Sequence, residues 1–168
     1  MEPKLEGKMA VATGPITHNG AAATRFAADG APDFAAVRRQ AEPADIAAVV
    51  GRVLISAIFI LSGLSKLAAP AMTIGYIQSA GLPLPTVAFA LAASIEIVGG
   101  ALLLAGYRTR VVATVLFVFT LATAVFFHHN FADQNQFIHF FKNVAMAGGL
   151  LHVVAFGGGR ISVDGRRA

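Results

Sequence analysis

The sequence contains no cysteine, which excludes disulfides, thiolate metal sites and dithiol redox chemistry. Charge is also scarce. Only 13% of the 168 residues are Asp, Glu, Lys or Arg, against 56% hydrophobic, where about 25% charged is usual. From Val53 to Tyr107 only Lys66 and Glu96 carry a full charge, too few for the surface of a soluble domain. The first 44 residues hold no apolar run of the ~7–15 residues a cleavable signal needs. The acidic Glu2, Glu6, Asp29 and Asp33 weigh against a transit peptide. Phosphate loops, nucleophile elbows and zinc-binding spacings are missing. The formal charge of +4 does not indicate nucleic acid, because the positive residues cluster between apolar segments and mark no phosphate-binding face.

What the chain does have is length in apolar runs. A spanning helix needs roughly 20 mainly apolar residues, and four segments qualify: 46–67, 86–105, 110–128 and 137–156. Arg52, near the start of the first, is expected to snorkel to the headgroups. Pro70, Gly81, Pro83 and Pro85 break the chain between the first two spans, leaving room for a short interfacial helix over 71–80 with Tyr76 at headgroup depth. Residues 1–44 read as a disordered cytoplasmic tail, helical at most near Phe34–Arg39, and 160–168 as a second cytoplasmic tail. A soluble helical bundle would show a polar stripe on each helix, yet Val111 to Phe127 offers only three threonines. The expected fold is all-α, a transmembrane four-helix bundle in the lipid bilayer.

Orientation follows from the basic residues. Arg38 and Arg39 precede the first span, Arg108 and Arg110 lie between the second and third, and Arg160, Arg166 and Arg167 follow the fourth. The other two loops carry no Lys or Arg. Positive loops mark the cytoplasmic side, so both termini are expected there. Small residues should let the helices pack without a hydrophobic driving force: Ser56 and Gly63 in the first span, Ala92, Ala93, Gly99 and Gly100 in the second, Ala145, Gly148 and Gly149 in the fourth.

Ionisable groups at membrane depth cost about 2.5–3.5 kcal/mol on insertion scales, so each needs a partner. Glu96 lies near the midplane, either neutral or paired with a cation. Its role is a functional proton site or a link that fixes the bundle. Lys66 stands one turn after Ser62 on the same face, either snorkelling or turned inward. His139, Lys142, Asn143 and Met146 form one stripe on the fourth span, and His128 and His129 end the third at the same depth. Lys66, Glu96, His128, His139, Lys142 and Asn143 are therefore expected to share a polar pocket open toward the outer surface. A bis-histidine haem needs opposed imidazoles, and His128 and His139 share a depth, whereas His152 lies far toward the inside. Neither haem nor a metal held by two histidines and Glu96 is favoured, because an interfacial histidine is usually solvated or hydrogen-bonded.

The stretches GRVLISAIFILSGLSKL (51–67), GLPLP (81–85), EIVGGALLLAGYRTR (96–110), AVFFHH (124–129), FKNVAMAGGLL (141–151) and GGGRISVDG (157–165), in this order, resemble the DoxX family of small four-span membrane proteins. The resemblance covers about residues 46–165. It implies a bacterial inner-membrane protein, and the family takes its name from a membrane subunit of a thiosulfate:quinone oxidoreductase. Gly63, Lys66, Glu96, Gly100, Arg110 and His128 stand at matching positions, and the resemblance assigns no catalytic residue. It implies the fold more strongly than the chemistry.

Three functions stay open. A quinone-linked redox subunit would use Lys66, His128 and Lys142 as donors to the quinone carbonyls and Glu96 for protons, with electrons from a redox partner protein or bound cofactor. A scaffold or assembly factor would use the same cluster only to lock the bundle. A small transporter would require a homo-oligomer. The first is favoured on family grounds.

Overall fold

The computed structural model describes residues 43–167. The tail expected before Ala44, with its helix near Phe34–Arg39, lies outside the described residues up to Pro43, where the first helix already begins. Five helices follow: α1 (Pro43–Ala68), α2 (Pro70–Ser79), α3 (Pro85–Ala105), α4 (Thr109–Phe127) and α5 (Gln134–Phe156). All but α2 are long and apolar enough to cross a membrane. The spans predicted from hydropathy are met within three residues at each end, and the short connecting helix is present as α2.

The helix ends have local causes. Pro85 opens α3 at its first position, where a missing N–H costs nothing. Gly106 closes α3 at φ +70°. Its N–H donates to Leu103 O at 3.1 Å and that of Tyr107 to Leu102 O at 3.0 Å, a Schellman pair for which glycine is the natural residue. Asp133 caps α5 in the ordinary way, accepting from Asn135 N and Gln136 N at 2.8 and 3.0 Å.

α1 packs chiefly on α3 and α4 on α5, while α3 and α4 make a smaller contact. The α1–α3 seam is built on glycine. A Cβ at Gly63 would come within 2.6 Å of Ile97 Cγ1, and one at Gly100 within 2.8 Å of Ile60 Cγ1 and 3.2 Å of Ser56 O. Gly149 fits against Ile55 in the same manner, but Gly148 has nothing within 4 Å and Ala145 is exposed. Those two small residues therefore face outward and do not serve the close packing expected of them. Gly100→Ala is expected to destabilise the protein by about 1–2 kcal/mol through overpacking, read as a lower Tm in detergent. An unchanged Tm would show that the seam tolerates a methyl group.

Packing is uneven along the bundle axis. Phe59, Leu103, Ala113, Leu116, Leu150 and Val153 form the buried core, and most of it lies toward the end that carries Arg52, Arg108 and Arg160, here called the basic end. Leucines such as Leu54 and Leu61, each about two-thirds exposed, cover the outside, as hydrocarbon solvent permits.

The basic end is closed by a clasp. Residues 157–167 do not trail off as the tail expected for 160–168; they turn back on the bundle. Val163 N donates to Ala105 O at 3.2 Å and Asp164 N to Gly106 O at 2.9 Å. The Asp164 carboxylate accepts from Arg108 N (2.9 Å), Thr109 N (2.7 Å) and Thr109 Oγ1 (2.7 Å), so α4 is capped by a residue 55 positions downstream. Arg167 lies over the Tyr107 ring at 5.3 Å, and Asp45 of α1 pairs with Arg160 at 3.4 Å. Arg52 does not snorkel. It is 4% exposed and donates to Ile161 O at 2.6 Å, because a carbonyl of the returning clasp offers a nearer partner than the headgroups.

Candidate functional site

The opposite end of the bundle, where His128, His129 and His139 sit, is hollow. Ser62 and Lys66 stand one turn apart on α1, and Gly63 between them lets α3 approach so closely that an added Cβ there would lie 3.2 Å from Glu96 Cβ. That approach sets Glu96 opposite Lys66. Lys66 Nζ lies 2.9 Å from Glu96 Oε1 and 2.8 Å from Oε2. It also donates to Ser62 Oγ at 2.9 Å, and Ser62 Oγ donates to Glu96 Oε1 at 3.1 Å. The Oε2 contact is ionic and lacks the alignment of a hydrogen bond. The Lys66 side chain is 25% exposed and that of Glu96 7%, so the pair spans from the cavity to the seam. Two opposite charges held this close satisfy each other in a place where neither could stand alone.

Above this pair, α5 presents its polar stripe. Lys142 Nζ is 2.9 Å from His139 Nδ1. An ammonium group can only donate, so Nδ1 accepts and the ring proton of a neutral His139 resides on Nε2. The His128 ring, at the end of α4, stacks on His139 with centroids 5.1 Å apart and planes 27° apart. Its Nδ1 is buried and has no hydrogen-bond partner among the described residues. α2 crosses the mouth, held to α4 by the Tyr76–Phe127 ring stack at 5.3 Å.

These elements enclose a cavity of about 350 Å³, near the lower end of the ~300–1,000 Å³ usual for ligand sites. Lys66, Glu96, His128, His139, Lys142 and Asn143 all line it. The structure thus brings together all six residues singled out from the sequence. His129 is exposed and does not line the cavity, and His152 meets Phe156 in a tilted ring contact at 4.5 Å near the basic end. Aromatic walls from Phe59, Phe119, Phe127 and Tyr76 were not foreseen, since a phenylalanine facing a cavity and one facing lipid look alike in a sequence. Among the described residues, no group of three or more His, Asp and Glu gathers as a metal site would require.

Chemically the cavity is graded. Its floor is an ion pair of no net charge. Its rim carries the Lys142 ammonium, for which no carboxylate partner is present among the described residues, with the Asn143 amide and the His139 Nε2–H beside it. Donors therefore outnumber free acceptors, and the walls between them are flat and apolar.

Four apolar spans around a cavity with a polar rim define a small polytopic membrane protein. The DoxX family model matches residues 47–129. Inner membrane protein YqjF of Escherichia coli is 36% identical over 123 residues, covering 71% of this chain and 91% of the relative. Inner membrane protein YphA of the same organism is 33% identical over 139 residues, covering 80% and 95%. The chain belongs to the DoxX family and is a multi-pass protein of the bacterial inner membrane. No solved structure matches it significantly.

Proposed function

We propose that this protein is the membrane subunit of a quinone-linked oxidoreductase, with the cavity as the site of the quinone headgroup. The observation that carries the reading is the pairing of aromatic walls with a donor-rich rim at membrane depth. A quinone head is a flat ring bearing two carbonyl acceptors. The walls would sandwich the ring, while Lys142, Asn143 and the two cavity histidines would donate to its oxygens. Reduction to the quinol takes two electrons and two protons. The chain has no cysteine to bind an iron–sulfur cluster, so the electrons come from a redox partner protein that docks on this subunit. The protons pass through Glu96 and the groups bonded to it, Ser62 and Lys66. The positive-inside rule supports a cytoplasmic basic end with both termini there, an orientation in which the cavity opens toward the outer leaflet.

A second reading has its own support. The Lys66–Glu96 pair bridges α1 and α3 from within, as it would in a protein whose polar cluster only locks a scaffold. The two readings part on ligand content. Purified in native lipid, the wild-type protein is expected to retain quinone, identified by extraction and mass analysis. Lys142→Met, which removes one charge-assisted donor from a partly exposed rim, is expected to lower that retention about tenfold with Tm unchanged. Quinone missing from the wild type, or held equally by the variant, would favour the scaffold.

A further inference from the structure

The clasp at the basic end borders a second cavity, an open cleft unrelated to the quinone reading. Its volume is about 630 Å³, and it lies between the start of α4 and the glycine loop 157–159. Arg108, Arg110 and Arg160 line it, and Val111 and Phe156 form its lower edge. The charges are not equivalent. Arg160 engages Asp45 at 3.4 Å. Asp164 also lines the cavity, but its oxygens already accept the three bonds from Arg108 and Thr109. The Arg110 guanidinium runs along Gly157, with Nε 3.5 Å from where a Cβ would stand, and has no carboxylate partner among the described residues.

The loop leaves this space because of its glycines. Gly157 and Gly159 have φ of +78° and +76°, and a Cβ on Gly158 would fall 2.7 Å from Thr109 Oγ1. The backbone thus turns sharply at the end of α5 and lies against α4 without side chains to fill the gap. Val111 and Phe156 are 60% and 71% exposed on spans that meet hydrocarbon. The cavity therefore has a cationic roof at the depth where α4 begins and α5 ends, and an apolar floor directed at acyl chains.

We propose that this cavity seats the phosphodiester of an anionic membrane phospholipid, with Arg110 as its principal cation and Val111 and Phe156 guiding the acyl chains. A free phosphate shares the headgroup's charge and acceptors but would gain nothing from the apolar edge. A guanidinium fork suits a phosphodiester because it donates two parallel bonds, and basic pockets at the ends of spans are the usual seats of anionic lipid.

The test titrates full-length protein in detergent with phosphatidylglycerol, phosphatidylcholine or inorganic phosphate, following Tm and counting bound lipid by native mass spectrometry. Phosphatidylglycerol is expected to raise Tm and bind at one site, and phosphatidylcholine to do neither. Arg110→Gln should weaken phosphatidylglycerol binding about fivefold or more, the usual share of one interfacial arginine. Arg166→Gln removes the same charge outside the cavity and should leave binding unchanged. Equal losses in the two variants would reduce the effect to net charge and overturn the proposal, as would equal binding of phosphatidylcholine. Stabilisation by inorganic phosphate that phosphatidylglycerol does not exceed would overturn it in favour of a soluble anion. If Arg110→Gln does not fold, Arg110→Lys, which keeps the charge but loses the fork, decides instead. It should bind more weakly than wild type, and wild-type affinity there defeats the assignment.

Discussion

Glu96→Ala is expected to cost about 3–5 kcal/mol of stability, the usual penalty for stranding one member of a buried pair. Lys66 would lose both carboxylate contacts, at 2.9 and 2.8 Å, and keep only Ser62. Its side chain is three-quarters buried, and hydrocarbon offers no alternative partner. The measurement is Tm and folded yield in detergent. The double replacement Lys66→Met with Glu96→Met should recover most of that loss, since a pair of apolar groups needs no mutual satisfaction. The cycle of single and double variants separates the coupling of the pair from the cost of each residue. If Glu96→Ala melted with the wild type, the pair would contribute nothing to the fold. If the double variant folded and still supported quinone reduction at the wild-type rate, the pair would be structural only.

Asp164→Ala should cost about 3 kcal/mol, mainly by uncapping α4. The carboxylate accepts two backbone N–H groups and one hydroxyl. A lost cap alone costs about 0.5–2 kcal/mol, and a hydrogen bond to a charged group contributes about 1.5–3 kcal/mol. Arg108 adds a further demand: its φ of +43° is a strained choice for a residue with a side chain, and the bond from its N–H to Asp164 holds it there. The same bonds make the clasp sensitive to acid. The Thr109 N–H, then its hydroxyl, hold the Asp164 carboxyl below its ordinary value. A depressed folded value gives a contribution that is fully present above the unfolded value, near 3.9, and is lost as pH falls through the folded one. Wild-type Tm should therefore drop below about pH 4 by more than that of Asp164→Asn, which cannot titrate there. Parallel acid profiles for the two proteins would remove Asp164 from the account.

The four spans were legible because hydrocarbon imposes a length and a composition that few other environments demand. Their boundaries were legible where one residue sets them, as at Pro85. The grouping of Lys66, Glu96, His128, His139, Lys142 and Asn143 was legible for a related reason: depth is fixed by position along a span, and lipid excludes such groups from its own side. The failures share a cause. Arg52 lies 109 residues from the carbonyl it binds, and Asp164 lies 55 from the N–H it caps. Nothing local at either position announces its partner. Gly148 and Gly149 are adjacent, and only the rotation of α5 decides which of them meets Ile55. Helix rotation is set by neighbouring helices, which a single chain read in isolation does not supply. The GGGRISVDG stretch was singled out by resemblance, but its service as a clasp required the fold.

That cap from downstream also orders the protein's biogenesis. Synthesis runs from the N-terminus, so the turn between α3 and α4 leaves the ribosome long before its acceptor exists. The first N–H groups of α4 must stay with water until Asp164 is made, while the helices behind them have already entered the bilayer. Closure of the basic end then waits on residues 157–167, and a chain released before Asp164 is made leaves a bundle that is inserted but unlatched.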